Sequence, residues 1–240
     1  MLNALFTGYM LAILSSWLKS SFDNYQLKNR SLLARSKCDH CGKKLKWFNL
    51  FPILSYLFQR GTSTCCKKKI SRNYLYIESS TFLLGCIFIF FEFSLSSILL
   101  IPFLVILVFL DEKYQEIPIW LNAVILLVVS LSKENLDPIM LLNAGMIFLG
   151  LIIIYWLYKV FRKREGLGLG DIILIFSLSL YLEIPTIFLL ISISAALLIV
   201  KIIFSKDYYK PHAFGSWLSG CLIGFILFQE FYEFANSVPI

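Results

Sequence analysis

Asp111 and Asp171 are the two residues of this chain best equipped for chemistry. Each lies where an apolar run meets a loop. Asp111 opens Asp-Glu-Lys-Tyr-Gln-Glu-Ile-Pro, and Asp171 closes Gly-Leu-Gly-Leu-Gly-Asp. A carboxylate beside hydrocarbon is costly to desolvate unless it lines a wet cavity, so such an acid reads by default as functional. Two acids brought together between helices are the minimal equipment for aspartic-protease chemistry. They share a proton: the ionised member takes a proton from an attacking water, and the protonated member donates to the scissile carbonyl oxygen. Gly166, Gly168 and Gly170 lack side chains, which lets the backbone turn sharply and lets helices or substrate approach Asp171 closely. A capping or interfacial role is compatible with catalysis at either aspartate. The other acids compete poorly. Glu92, Asp137, Glu183, Glu230 and Glu233 fall toward the opposite face, and Glu112 and Glu116 read as loop solvation. Glu78, in the first turns of an apolar run, is the exception.

Cysteines form a second constellation. Cys38-Asp-His-Cys41 is followed, after an aromatic stretch, by Cys65-Cys66, close to a zinc-ribbon pattern. A second pair spaced Cys-x-x-Cys would let two sulfurs converge on one tetrahedral centre; adjacent cysteines do so less readily. His40 offers an extra nitrogen. A reducing cytoplasm disfavours a structural disulfide, which leaves two readings, bound zinc or reduced thiols without metal. Cys86 and Cys221 lie inside apolar runs and read as inert packing residues.

The elements that must position these groups are membrane helices. Of 240 residues, 58% are hydrophobic and 15% charged, with 22 Phe, whereas roughly a quarter of a soluble domain is charged. Eight apolar runs are candidate spans: 2–18, 74–91, 95–110, 117–131, 139–158, 171–182, 184–204 and 213–228. Several fall short of the roughly twenty residues a span needs, so tilt or a wet cleft is expected near the aspartates. The first run lacks a basic N-terminal region and a small-residue cleavage site, and is expected to be a retained helix. Threaded with the N-terminus outside, all but Lys133 of the 22 Lys and Arg residues fall on cytoplasmic connections or their edges. The same threading puts Asp111 and Asp171 at one face, the cytoplasmic edge. The expected fold is an all-α polytopic membrane protein of about eight transmembrane helices with a cytoplasmic cysteine-containing loop module. Its divisions are a first helix (1–19), the basic cysteine module (20–73) and a transmembrane aspartic peptidase core (74–240). The basic connection suits anionic lipid head groups better than nucleic acid. A proton-coupled transporter is the rival from another class; it would show internal repeats or paired midplane breaks, and neither is visible. A zinc-dependent regulatory membrane protein is a third reading.

These residues together resemble the bacterial prepilin peptidases, the type IV leader peptidases of the Gly-x-Gly-Asp aspartic membrane protease class, over nearly the whole chain. The resemblance runs through Cys38-x-x-Cys41 with Leu45, Trp47, Asn49, Pro52, Ile53, Leu54 and Ser55, then Arg60-Gly61, Ile70-Ser71, Tyr74 and Glu78. It continues through Asp111 seven residues before Pro118, Gly168-x-Gly170-Asp171 and Ala213-Phe214-Gly215. It implies a bacterial inner-membrane enzyme with its active site facing the cytoplasm and Asp111 and Asp171 as catalytic residues. The implied reaction cleaves the basic leader from type IV prepilin, pseudopilin or competence pilin-like precursors, after a glycine. Bifunctional members also methylate the new N-terminal amine with S-adenosylmethionine, for which Glu78 is the candidate here, with an interface acid paired to Arg72 as its other reading. The candidate zinc ligands are Cys38, Cys41, Cys65 and Cys66. The sequence departs from the family at Ser63, where a cysteine is usual. It departs again at Ile119, where a polar residue is common, and at Ile172-Ile173, where a lysine often holds the second position. Archaeal preflagellin peptidases and signal-peptide peptidases are the nearest alternatives, and the cysteine module favours the bacterial type.

Overall fold

The computed structural model describes residues 2–27, 31, 35–38, 40–91, 93–133, 137–162, 166–206 and 212–237, with backbone alone for 26, 27, 162, 230 and 233–237. Lys28, Arg30, Asp39, Glu92, Lys163, Arg164 and Lys210, used above for topology, lie outside the described residues, as do the side chains of Arg162, Glu230 and Glu233. The described regular structure is helical apart from two isolated antiparallel bridges, Lys37 with Lys44 and Thr62 with Lys69. The α-helices are α1 (Leu2–Phe22), α2 (Leu54–Phe58), α3 (Arg72–Phe90), α4 (Leu95–Tyr114), α5 (Ile119–Ser132), α6 (Pro138–Arg162), α7 (Leu169–Ser179), α8 (Ile184–Ser205) and α9 (Phe214–Ser237).

By length and composition, α3, α4, α6 and α8 can each cross a membrane, and α5, α7 and α9 supply shorter apolar stretches. Only 11% of the apolar window of α6 and 17% of that of α8 is buried, against 67% for α4. Ile153, Trp156, Val160, Phe188, Ile199 and Ile203 stand exposed in consequence. Water would penalise so much open apolar surface, whereas lipid does not. The chain is an all-α, multi-span membrane protein.

Two compact units divide it, Met1–Ile106 and Leu107–Ile240, so the boundary falls within α4. In the first, α1 packs along α3. Ala4, Gly8, Leu11, Ser15, Leu18 and Phe22 make the buried stripe of α1, at the three- and four-residue spacing of one helix face. The backbones approach closely at a glycine pair: a Cβ added to Gly85 would lie 3.0 Å from the Gly8 Cα. Small residues at such a crossing give dispersion contacts where lipid supplies no hydrophobic drive. At its end α1 leads into a π-helical turn, Asp23–Leu27, where buried Lys19 pairs with Asp23, and the Tyr74 hydroxyl donates to Asp23 Oδ2 at 2.7 Å.

In the second unit the short helix α7 packs against α5, α6, α8 and α9. Its neighbours hold it through Ile172, Leu174, Ile175 and Leu178, all buried. The connection between α4 and α5 is tight. The Gln115 N–H bonds the Asp111 carbonyl at 2.8 Å, Gln115 adopts φ 56°, and Pro118 caps α5 with its fixed φ.

Candidate active site

Asp111 lies one turn before the end of α4 and Asp171 in the first turn of α7. Neither is an N-cap: Gly168 holds that position on α7. The two carboxylates meet at the start of α9. A methyl group on Gly215 would sit 2.8 Å from Asp171 Oδ1 and 3.2 Å from Asp111 Oδ2. One point in space is thus within reach of both acids. The Ser216 N–H, in the first turn of α9 and without a helical partner of its own, donates to Asp111 Oδ2 at 2.6 Å. Asp171 Oδ1 is buried and makes no hydrogen bond among the described residues. Helix N-termini favour a negative charge, and α7 and α9 both present theirs here. Two carboxylates that face one point are placed to share a proton.

The glycines act by leaving room rather than by turning the chain. None of Gly166, Gly168 and Gly170 has positive φ, and the loop bends at Leu167 without a left-handed backbone at any of them. A Cβ on Gly170 would lie 2.9 Å from the Ile117 Cβ, and one on Gly168 3.2 Å from Asp171 Oδ2. Ile117, next to Pro118, is therefore wedged between Gly170 and Gly215, tying the α4–α5 connection to the aspartate loop. Gly166 lies instead against the ring of Tyr158.

Sequence reading missed two residues at this site. Asn122 is fully buried in α5 and donates from Nδ2 to the Gly170 carbonyl at 3.0 Å, fixing the peptide that precedes Asp171. An amide inside an otherwise apolar helix, four residues after Pro118, was the available signal. Glu112 was expected to be a solvated loop acid. It lies within α4, where Oε1 meets Lys201 Nζ at 2.6 Å and Oε2 accepts from the Ser216 hydroxyl at 3.4 Å.

Glu78 and the cysteines belong to the first unit. Glu78 is buried; Oε1 accepts from the Ser16 hydroxyl at 2.6 Å and Oε2 from the Ile53 N–H at 2.7 Å. Arg72 is exposed, and these contacts replace the ion pair considered for Glu78. Ile53 has φ 60°, a strained conformation for a β-branched residue, and the carboxylate holds it there.

The cysteine loop is two matching knuckles. In the first, the Cys38 N–H bonds the Lys43 carbonyl and the Gly42 N–H bonds the Cys38 carbonyl, with Gly42 at φ 69°. In the second, the Ser63 N–H bonds the Lys68 carbonyl and the Lys67 N–H bonds the Ser63 carbonyl, with Lys67 at φ 58°. Ser63 therefore stands where Cys38 stands, Cys66 matches Cys41, and Cys65 takes the place of His40. All four sulfurs lie within 4.8 Å of one another, with Cys41 Sγ to Cys65 Sγ at 3.1 Å and Cys38 Sγ to Cys66 Sγ at 3.7 Å. Four sulfurs bonded at about 2.3 Å to one tetrahedral ion lie about 3.8 Å apart, a value the cluster's separations bracket, so the residues fit zinc. Burial raises the Cys38 pKa, but hydrogen bonds with the Ser63 hydroxyl and the Cys41 and His40 amides bring it down to about 6, the thiolate a metal requires. His40 stands outside the sulfur cluster: its Nε2 meets the Lys69 carbonyl at 3.1 Å and joins the knuckles.

Comparison with known proteins matches residues 10–93 to the Bacterial Peptidase A24 N-terminal domain and residues 98–203 to the Type IV leader peptidase family. Similar relatives include the Prepilin leader peptidase/N-methyltransferase of Pectobacterium carotovorum subsp. carotovorum, 29% identical over 80% of this chain and 74% of its own length. Proteins of the same name from Dichelobacter nodosus and Dickeya chrysanthemi are 32% and 29% identical. The first alignment covers 58% of this chain and 52% of the relative, the second 77% and 70%. No solved structure matches the chain significantly.

Proposed function

Because the chain belongs to the type IV leader peptidase family, we propose that it is a membrane-embedded aspartic endopeptidase that removes the basic leader from type IV prepilin-like precursors and N-methylates the new N-terminus. The observation behind the catalytic assignment is the convergence of Asp111 and Asp171 on the point where a Cβ of Gly215 would stand. Water attacks the scissile carbonyl carbon as the ionised aspartate accepts its proton, and the protonated aspartate donates to the carbonyl oxygen. Collapse of the tetrahedral intermediate breaks the C–N bond, and a proton passes to the leaving amine. The leader departs with a new carboxylate and the mature chain with a new amine. Asn122 and Ile117 keep the Asp171 loop in register with α9.

The eight apolar helices each cross the membrane in this reading, with residues 20–73 as a cytoplasmic module and the core at 74–240. The one-sided lysines and arginines put the aspartates at the cytoplasmic edge, in the inner membrane. The substrates are prepilin, pseudopilin or competence pilin-like precursors, cut after a glycine. The four thiols hold a structural zinc that braces the two knuckles. S-adenosylmethionine supplies an electrophilic methyl group when bound. The new amine and a sulfonium are both cationic, and Glu78 is a buried carboxylate whose donors among the described residues are neutral, suited to hold such a cation or take the amine's proton.

The test is processing of a prepilin-like precursor in membranes. Asp111→Asn and Asp171→Asn should each abolish cleavage at normal membrane levels, and the double variant should be no worse, because the pair works as one unit. Substantial cleavage by either folded single variant sinks the assignment. Mass spectrometry of the product tests the second activity: one methyl group is expected, lost in Glu78→Gln with cleavage retained.

A further inference from the structure

Beside the aspartate pair, α4, α8 and α9 form a groove of about 690 Å³ whose lining includes neither aspartate. Its polarity is graded along the helices. On each wall a polar residue stands one turn from an apolar or bare one: Glu112 and Val108 on α4, Lys201 and Leu197 on α8, Ser216 and Gly220 on α9. Residues four apart share a helix face, so the three polar groups gather at one end and the apolar positions continue beyond them. The polar end is joined together, Glu112 bridging Lys201 and Ser216, with the Trp217 ring 5.7 Å from Lys201 Nζ. It is also joined to the chemistry, since the Ser216 N–H holds Asp111. The groove is therefore charged at the level of the aspartates and apolar away from them. Cβ atoms added at Gly220 and, one turn on, at Gly224 would meet nothing within 4 Å.

We infer that this groove receives the apolar helical segment of the precursor that follows the scissile bond, with the leader's cations at the Glu112 end. The inference rests on the proposed peptidase function. A basic leader and an apolar helix flank the scissile bond, and the groove offers Glu112 at the level of the aspartates with an apolar floor leading away from them. The Glu112 side chain is 52% exposed, open to a substrate cation that would share it with Lys201. Lipid is as apolar as the floor, so the groove contributes register more than affinity, and bare positions at Gly220 and Gly224 let a second helix approach closely.

A photo-crosslinking residue in place of Leu197, on the groove wall, tests this, with Leu149 on the exposed side of α6 as control. Both are placed in Asp171→Asn enzyme so that the precursor stays whole. Cross-links from position 197 into the precursor's apolar segment, and none from 149, are expected. No product from 197, or equal labelling from both, overturns the groove. Independently, Gly220→Leu should slow cleavage by about tenfold or more through misplacement of the scissile bond, while Leu149→Ala on α6 stays near wild type. Wild-type rates in a folded Gly220→Leu enzyme overturn the groove and leave the aspartate assignment standing. A wild-type chain that cleaves no precursor instead strikes the functional reading, and the cross-link then decides the groove alone.

Discussion

Gly215 is where the two carboxylates converge, so the smallest change that separates them is one methyl group. Gly215→Ala should remove most cleavage, because the added Cβ falls within 2.8 Å of Asp171 Oδ1 and must push an acid aside. The cost to stability is about 1–3 kcal/mol, the usual range for overpacking, so thermal unfolding in detergent should shift modestly while processing collapses. Asn122→Leu tests the supporting contact. It removes the side-chain donor to the Gly170 carbonyl, a loss of about 0.5–1.5 kcal/mol, and should lower kcat more than it raises KM. A wild-type kcat would show that Asn122 serves packing alone. Asp111 and Asp171 were legible in the sequence because acids at the ends of apolar runs are anomalous. Asn122 and Ile117 were not, since their roles come from what lies opposite them in space, and no local pattern records a partner 48 residues away.

At the scale of elements, the paired knuckles show why the adjacent cysteines can do what regular spacing usually does. Ser63 and Cys66 occupy the two positions equivalent to Cys38 and Cys41, and Cys65 reaches the cluster from between them. Cys65→Ser should therefore lose the zinc, and Ser63→Cys combined with Cys65→Ser should regain it by restoring the regular spacing. Metal analysis of the purified proteins reads both outcomes; full zinc in Cys65→Ser would remove Cys65 from the ligand set. Binding of the proposed zinc would be folding energy, so a chelator should expose the loop between the knuckles to protease. The sequence disclosed the cysteines and the register that puts Ser63 in a ligand position. It did not disclose that His40 bridges the knuckles through the Lys69 carbonyl, because a histidine beside two cysteines has the same local signature in either role.

For the whole molecule, helix placement was the most legible property, since apolar runs and their interruptions are written directly in composition. The helices of the structure fall on the eight runs, extended past several of their expected ends, as at Tyr114 and Arg162, where charged residues continue a helix into the interface. Orientation rests on Lys and Arg counts and has a direct test. A cysteine introduced near Lys133 should react with an impermeant reagent in intact cells, whereas the loop from Lys19 to Asn73 should react only after permeabilisation. The reverse pattern would place the aspartates at the wrong face. The hydrogen bond from Ser216 to Asp111 spans 105 residues of chain. During synthesis Asp111 therefore enters the membrane on the order of ten seconds before its partner amide exists, at typical elongation rates. Until α9 inserts, the nascent chain carries both acids but lacks the residue around which they are arranged. A chain cut short after Lys206 should insert, persist and cleave nothing, so a membrane crowded with unfinished copies is protected from a half-built protease.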